Sequence, residues 1–148
     1  MIERNAARVI VLDENHRTLL FRGGDPARPE AGTWWFTPGG GLEPGESTRE
    51  AAARELREET GLSGSQLHGP IHRRVTEFLF DGEAIRQDEE YFFTVVPTFE
   101  VSAAEWTDLE KRVMIESRWW SLDELERTTE TVYPIELSQL VGDLRNSR

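Results

Sequence analysis

A chain of 148 residues with 37% hydrophobic and 30% charged residues has the size and composition of one folded domain, expected over residues 1–148. It contains no cysteine, so thiol nucleophiles, thiolate zinc sites and disulfide frameworks are excluded, and any bound metal must be held by oxygen or nitrogen. Lys and Arg number 17 against 28 Asp and Glu, and the net charge of −11 repels polyanions: duplex nucleic acid is not an expected partner, and a phosphate substrate calls for a mediating divalent cation.

The longest apolar run, Phe92 to Val96 broken by Thr94, falls far short of the roughly 20 residues of a membrane span. The stretch Val9 to Leu12 is too short for a secretory signal, so a cytoplasmic location without a membrane partner is expected. A homodimer is compatible with the sequence.

Arg8 to Leu12 reads as a buried strand, residues 13–16 as its turn, and Thr18 to Arg22 as the returning strand of a hairpin. A loop punctuated by Gly23, Gly24, Pro26, Pro29 and Gly32 leads to a strand over Thr33 to Thr37, stopped by Pro38 and three glycines that keep the turn open. Ser47 and Glu50 form a capping box that starts a helix, and Gly61 stands at its C-terminal cap. Strands follow over Arg73 to Phe80 and from about Glu90 to Phe99, with a turn at Asp81-Gly82. Ala103 to Arg112 is polar and carries no clear period. Arg118 to Ser121 reads as a short strand running through the capping box Ser121 to Glu124 into a short helix, and Pro134 is expected to open the last helix. There Leu137, Leu140, Val141 and Leu144 make one apolar stripe. Hairpins interspersed with helices imply an α/β fold with a mixed sheet and helices on its faces.

The first helix concentrates acid. Taking Glu55 as the origin at about 100° per residue, Glu58 and Glu59 fall within an arc of roughly 100°, bordered on the core side by Ala52 and Leu56. Three carboxylates facing a partly enclosed groove repel one another by an amount that a cation offsets, and oxygen-only donors suit Mg²⁺ or Mn²⁺. Taken alone, the helix also fits a solvated face with i,i+4 Glu–Arg pairs worth tenths of a kcal/mol.

The surrounding residues alter that balance. Gly40, then Glu46 after five residues, then after seven more Arg54-Glu55-Leu56-Arg57-Glu58-Glu59-Thr60-Gly61-Leu62, resembles the complete Nudix box at each of its nine specified positions. The resemblance implies a Nudix hydrolase: an α/β/α sandwich with a mixed central β-sheet, whose box forms a loop, helix and loop holding divalent metal against a pyrophosphate. It also implies that Glu55, Glu58 and Glu59 bind metal, that Arg54 orients the box carboxylates, that Glu46 is the first box glutamate, that the Gly39 carbonyl ligates metal, and that Gly40 beside it contacts substrate. The implied reaction is water attack on phosphorus in a nucleoside diphosphate-linked or triphosphate substrate. The alternative is a binding or regulatory module of the same fold, whose members usually carry an eroded box; this box is intact.

Outside the box, Arg22 at the end of the second strand is a candidate phosphate grip. Trp34 and Trp35 must point to opposite faces, one toward the core and one, taken as Trp34, toward a nucleobase. His16, His68 and His72 lack clustered partners and are read as structural or surface residues. The resemblance further implies a carboxylate recruited from a loop beyond the central strands. In the stretch Ala103 to Glu116, Glu110 is the choice for general base, with Glu89 and Glu90 as rivals. Subfamily markers downstream of the box, a proline for ADP-ribose or a tyrosine for dinucleoside polyphosphates, are missing from the window Glu77 to Phe80, which leaves the substrate a nucleotide derivative of unspecified kind.

Overall fold

The computed structural model describes residues 1–147, and its elements run β1 (Ile2–Leu12), β2 (Thr18–Gly23), β3 (Trp34–Phe36), β4 (Gly39–Gly41), α1 (Thr48–Thr60), β5 (His68–Phe80), β6 (Glu83–Val95), α2 (Asp108–Val113), β7 (Met114–Trp120), α3 (Leu122–Arg127), β8 (Val132–Tyr133) and α4 (Leu137–Asn146). Strand alternation builds the layers. Val9 and Val11 pack with Leu19, Ala51, Ala52, Leu56 and Phe92 under α1, whereas Ile10 and Leu12 pack with Trp35, Trp120, Leu125, Leu137 and Val141 under α3 and α4. Apolar side chains on both faces of β1 therefore require helices on both, and the result is the expected α/β/α sandwich. No helix among the described residues is long and apolar enough to cross a membrane.

The sheet runs β5-β6-β1-β2-β3-β8, with β4 added to β1 and β7 to β2. β1 pairs in parallel with β6 along its whole length, from Ile2↔Ile85 to Leu12↔Val95. The expected β1–β2 hairpin is present but short: the strands pair antiparallel at Leu12↔Thr18 next to the turn and then part. β1 continues against β4, with Arg8 opposite Gly39, and β2 continues against β3 and β7. The three glycines expected as an open turn are thus a short strand, wedged into the gap where β1 and β2 diverge.

Other boundaries move for physical reasons. The β5–β6 hairpin is longer than its apolar residues suggested, because polar residues such as Arg86, Gln87 and Asp88 keep strand alternation up to the Asp81-Gly82 turn. The polar stretch after residue 103 contains α2, held by a capping box in which Thr107 Oγ1 accepts from Glu110 N and Glu110 Oε1 accepts from Thr107 N. Pro134 does not open α4; its carbonyl accepts from Leu137 N, where the helix begins.

Candidate active site

α1 is set by its two ends and by one face. The Ser47–Glu50 capping box starts it, Gly61 closes it in the left-handed region at φ 83°, and Ala51, Ala52 and Leu56 bury against the sheet. That anchoring fixes the adjoining arc of the helix, which carries Arg54, Glu55, Glu58 and the buried Glu59, toward a cavity of about 740 Å³.

Arg54 is the hub of the box. Its Nε and Nη2 fork onto Glu46 at 2.8 and 2.9 Å, Nη1 donates to Glu55 at 3.0 Å and Glu58 at 3.2 Å, and Nη2 also donates to the Gly41 carbonyl at 3.0 Å. The fixed fork of a guanidinium thereby orients three carboxylates and one turn of the glycine strand at once. Arg54's hydrogen bonds hold the Glu46 carboxyl below its ordinary range.

Glu59 is buried, and its Oε1 accepts from Gly39 N at 2.7 Å. Burial, with the charge of Glu55 beside it, pushes its carboxyl well above the ordinary range, against the pull of the Gly39 amide and Arg8. Burial also raises Glu55, although the Arg54 guanidinium opposes the shift. In both groups the protein leaves the charged form partly uncompensated. Gly39 and Gly40 make the arrangement possible: Gly39 has φ 147°, and a Cβ on Gly40 would stand 2.7 Å from Glu55 Oε1. The space beside that carboxylate is kept clear of side chain.

Glu110 joins them from α2. One oxygen each from Glu55, Glu59 and Glu110 lie within 4.8 Å of one another, a donor set of hard oxygens that fits Mg²⁺ or Mn²⁺. Glu110 does not sit in a free loop, as expected, but in the first turn of α2 with one oxygen on Thr107 N, so it is held more firmly than a swinging loop residue. Glu58 also lines the cavity yet stands outside this trio, drawn aside by Arg54 and by Arg57 at 3.6 Å. Glu110 thus reaches Glu55 and Glu59 from outside the box, with Glu58 lining the same cavity.

Trp34 lines the cavity, while Trp35 is buried on the other face against Trp120, as alternation required. Phe36, Phe78 and Phe80 extend the aromatic wall. Arg22 does not line the cavity; Glu116 holds it at 2.6 Å and Thr33 at 3.1 Å, because its neighbours across β2 are β3 and β7. Of the arginines that line the cavity, Arg8, Arg54 and Arg74 pair with carboxylates, whereas Arg4 forms no ion pair among the described residues. Of the histidines, His72 contacts Glu136 at 3.2 Å and His68 stacks on Phe93, away from the trio.

A buried polar network under the site escaped sequence reasoning. Arg8 Nε donates to Glu89 at 3.0 Å, and its Nη1 donates to the carbonyls of Thr37 and Gly39. Gln87 Nε2 and Tyr91 OH complete the shell of Glu89 at 2.7 and 3.1 Å. Burial alone would raise the Glu89 carboxyl, but the charge and hydrogen bond of Arg8 hold it below its ordinary value. Glu89, the rival for general base, is thus occupied in bracing the Gly39 strand. The available signal was the run Gln87-x-Glu89-x-Tyr91, three polar groups on one face of a strand, but only the β1–β6 register supplies their arginine.

Comparison with known proteins accords with this geometry. The Nudix hydrolase YvcI of Bacillus subtilis (strain 168) is 44% identical over 90 residues, 60% of this chain and 51% of the relative. An RNA pyrophosphohydrolase of Erythrobacter litoralis (strain HTCC2594) is 62% identical over 29 residues, 20% of this chain and 18% of the relative. The chain thus spans about half or less of the length of these curated relatives. Among solved structures, the MutT protein from Methanosarcina mazei Go1 superposes with a TM-score of 0.72 at 22% identity, covering 99% of this chain and 97% of that one. The E. coli dihydroneopterin triphosphate pyrophosphohydrolase gives 0.68 at 15% identity, with 100% of both chains covered. These two share the fold. A family model described as the NUDIX domain matches residues 2–140, nearly the whole chain, and together with the intact box and its carboxylates this establishes that the chain belongs to the Nudix family.

Proposed function

We infer that this chain is a divalent-metal-dependent pyrophosphohydrolase acting on a nucleoside diphosphate-linked or nucleoside triphosphate substrate. The observation that carries this is the trio Glu55, Glu59 and Glu110 at one end of a cavity with an aromatic wall, two of the three held above their ordinary carboxylate range. Family membership and the activities by which relatives are named, an RNA pyrophosphohydrolase and a dihydroneopterin triphosphate pyrophosphohydrolase, support the class of bond.

Glu55 and Glu59, with Glu58 and Gly39 lining the same cavity, are the groups that would hold Mg²⁺ or Mn²⁺. Such an ion, when bound, polarises phosphoryl oxygens and lowers the pKa of water. The remaining work falls to side chains. Arg54 fixes the directions of Glu55 and Glu58, and the Gly39 amide fixes Glu59. Glu110 is assigned to accept the proton of the attacking water at a carboxylate oxygen, since α2 brings it to the trio from outside the box. Arg4 is assigned to a phosphate oxygen in place of Arg22, and Trp34 to the face of the nucleobase.

The test is a screen of nucleoside triphosphates, nucleotide sugars, ADP-ribose, dinucleoside polyphosphates and capped RNA with Mg²⁺ or Mn²⁺, run in ¹⁸O-labelled water. Turnover abolished by EDTA, with label on a phosphoryl product, is expected. Turnover undiminished in EDTA, or label on a sugar carbon, refutes the mechanism; binding without turnover across the panel favours a regulatory module.

A further inference from the structure

We propose that the outer edge of β5 docks against the same edge of a second copy of this chain, extending the sheet antiparallel across a two-fold axis at Val75. β5 is the terminal strand on its side of the sheet, so it has one neighbour, β6. The Asp81-Gly82 loop has positive φ at both residues, 49° and 81°, with Phe80 opposite Glu83. That is a two-residue type I′ turn, whose flanking residues form a hydrogen-bonded pair. Counting back by twos, Phe78, Thr76, Arg74 and His72 direct their backbone groups to β6, and Leu79, Glu77, Val75, Arg73 and Ile71 direct theirs to the open edge. Those same five residues are exposed, with Ile71, Val75 and Leu79 at 36%, 49% and 54%.

Natural edge strands are blunted by proline, lysine or bulges; in β5 these, Gly69-Pro70 and a register shift between His68 and His72, lie at its first residues, and residues 71–80 contain no Pro, Gly or Lys. The five edge residues instead read apolar, basic, apolar, acidic, apolar about Val75. An antiparallel second copy centred there sets Val75 on Val75, Arg73 on Glu77 twice, and Ile71 on Leu79 twice. Sliding the pairing by one hydrogen-bonded step sets Arg73 on Val75 or Glu77 on Val75, and a parallel pairing sets like charge on like. Charge and hydrophobicity thus select a single register, and they select this chain as its own partner. The hairpin tip is held in shape by Asp81 N, which donates to Asp25 Oδ1 at 3.0 Å, while Arg73, which forks onto Asp88 of β6, must share its guanidinium with Glu77 of the second copy.

Sedimentation equilibrium of the full chain near 0.15 M salt, where the repulsion between copies of charge −11 is screened beyond about 8 Å, tests this. A dimer is expected for the native sequence. Arg73→Glu and Glu77→Arg each place two like pairs across the axis and should weaken association about 10- to 100-fold. Mixing these two variants restores both pairs, so a heterodimer should form; the double variant should dimerise by itself. Val75→Lys, which leaves both ion-pairing residues in place, should also give monomer, and circular dichroism melting confirms that each variant is folded. A native monomer at about 100 μM overturns the proposal. So does a dimer that survives Val75→Lys, and so does a failure of the mixed variants to associate.

Discussion

Arg54→Ala removes the cation from the centre of the box while leaving its four backbone and carboxylate acceptors in place. Breaking a buried ion pair costs about 3–5 kcal/mol through the charge left behind. The side chains of Arg54, Glu46, Glu55 and Glu58 retain 15%, 13%, 12% and 25% exposure, so screening by water reduces this to about 2–3 kcal/mol, or roughly 5–10 °C in Tm for a domain of this size. The sign with pH follows from Glu46, whose carboxyl Arg54 holds below its ordinary value. A group with a depressed native pKa contributes stability above its unfolded pKa and loses it as pH falls through the native one. Urea unfolding in EDTA should therefore show the full penalty near pH 7 and progressively less of it as pH falls below the ordinary carboxylate range. In the presence of metal, turnover should fall about 10- to 100-fold as the carboxylates lose their orientation. An unchanged midpoint near pH 7, or a loss that stays equal as pH falls, would refute Arg54 as the electrostatic hub.

Glu59→Gln should stabilise the metal-free protein above about pH 5, because a carboxyl whose native pKa is raised costs stability once the unfolded state ionises; the same variant should abolish the gain in Tm on adding Mg²⁺. Gly40→Ala should lower metal affinity about tenfold or more in a titration, since its Cβ would displace the Glu55 carboxylate; unaltered affinity would show that this carboxylate is not needed. Glu110→Gln should reduce kcat by about 10² or more with KM little changed, whereas Glu105→Gln should leave kcat near the native value. Arg4→Ala should raise KM about tenfold, and Arg22→Ala should not; the reverse result would return the phosphate grip to Arg22.

What the sequence disclosed about this fold and site depended on how local the cause was. Capping by Ser47 and Glu50, termination at Gly61, and the clustering of Glu55 and Glu59 on one face all arise within one helix, and each was legible. The opposed directions of Trp34 and Trp35 needed only strand geometry. Glu110 was found by its place between strands, although its helix was not, because six residues offer too short a window for periodicity and only the Thr107–Glu110 cap marks it. Arg8 and Glu89 were not legible as a pair, since nothing in either neighbourhood specifies a register 81 residues apart. Arg22 misled for the same reason: its site-facing appearance rested on a hairpin that parts after its first pair, turning β2 toward Glu116 instead.

The parallel union of β1 with β6 also determines when this protein becomes itself during synthesis. Residues 9–12 emerge early as Val-Ile-Val-Leu, yet the strand that covers one side of them ends at Val95, and the helices over one face begin at Leu122. Helix α1 has its caps and can form in isolation as a fluctuating turn, but the floor that braces Gly39 waits for Glu89 to reach Arg8. Long-range contacts of this kind reward the chain only after most of its loop-closure entropy has been lost, which slows folding and leaves the apolar N-terminal strand uncovered meanwhile. The carboxylate trio is consequently a late product of folding, assembled only once residues from both ends of the hairpin-rich middle have met.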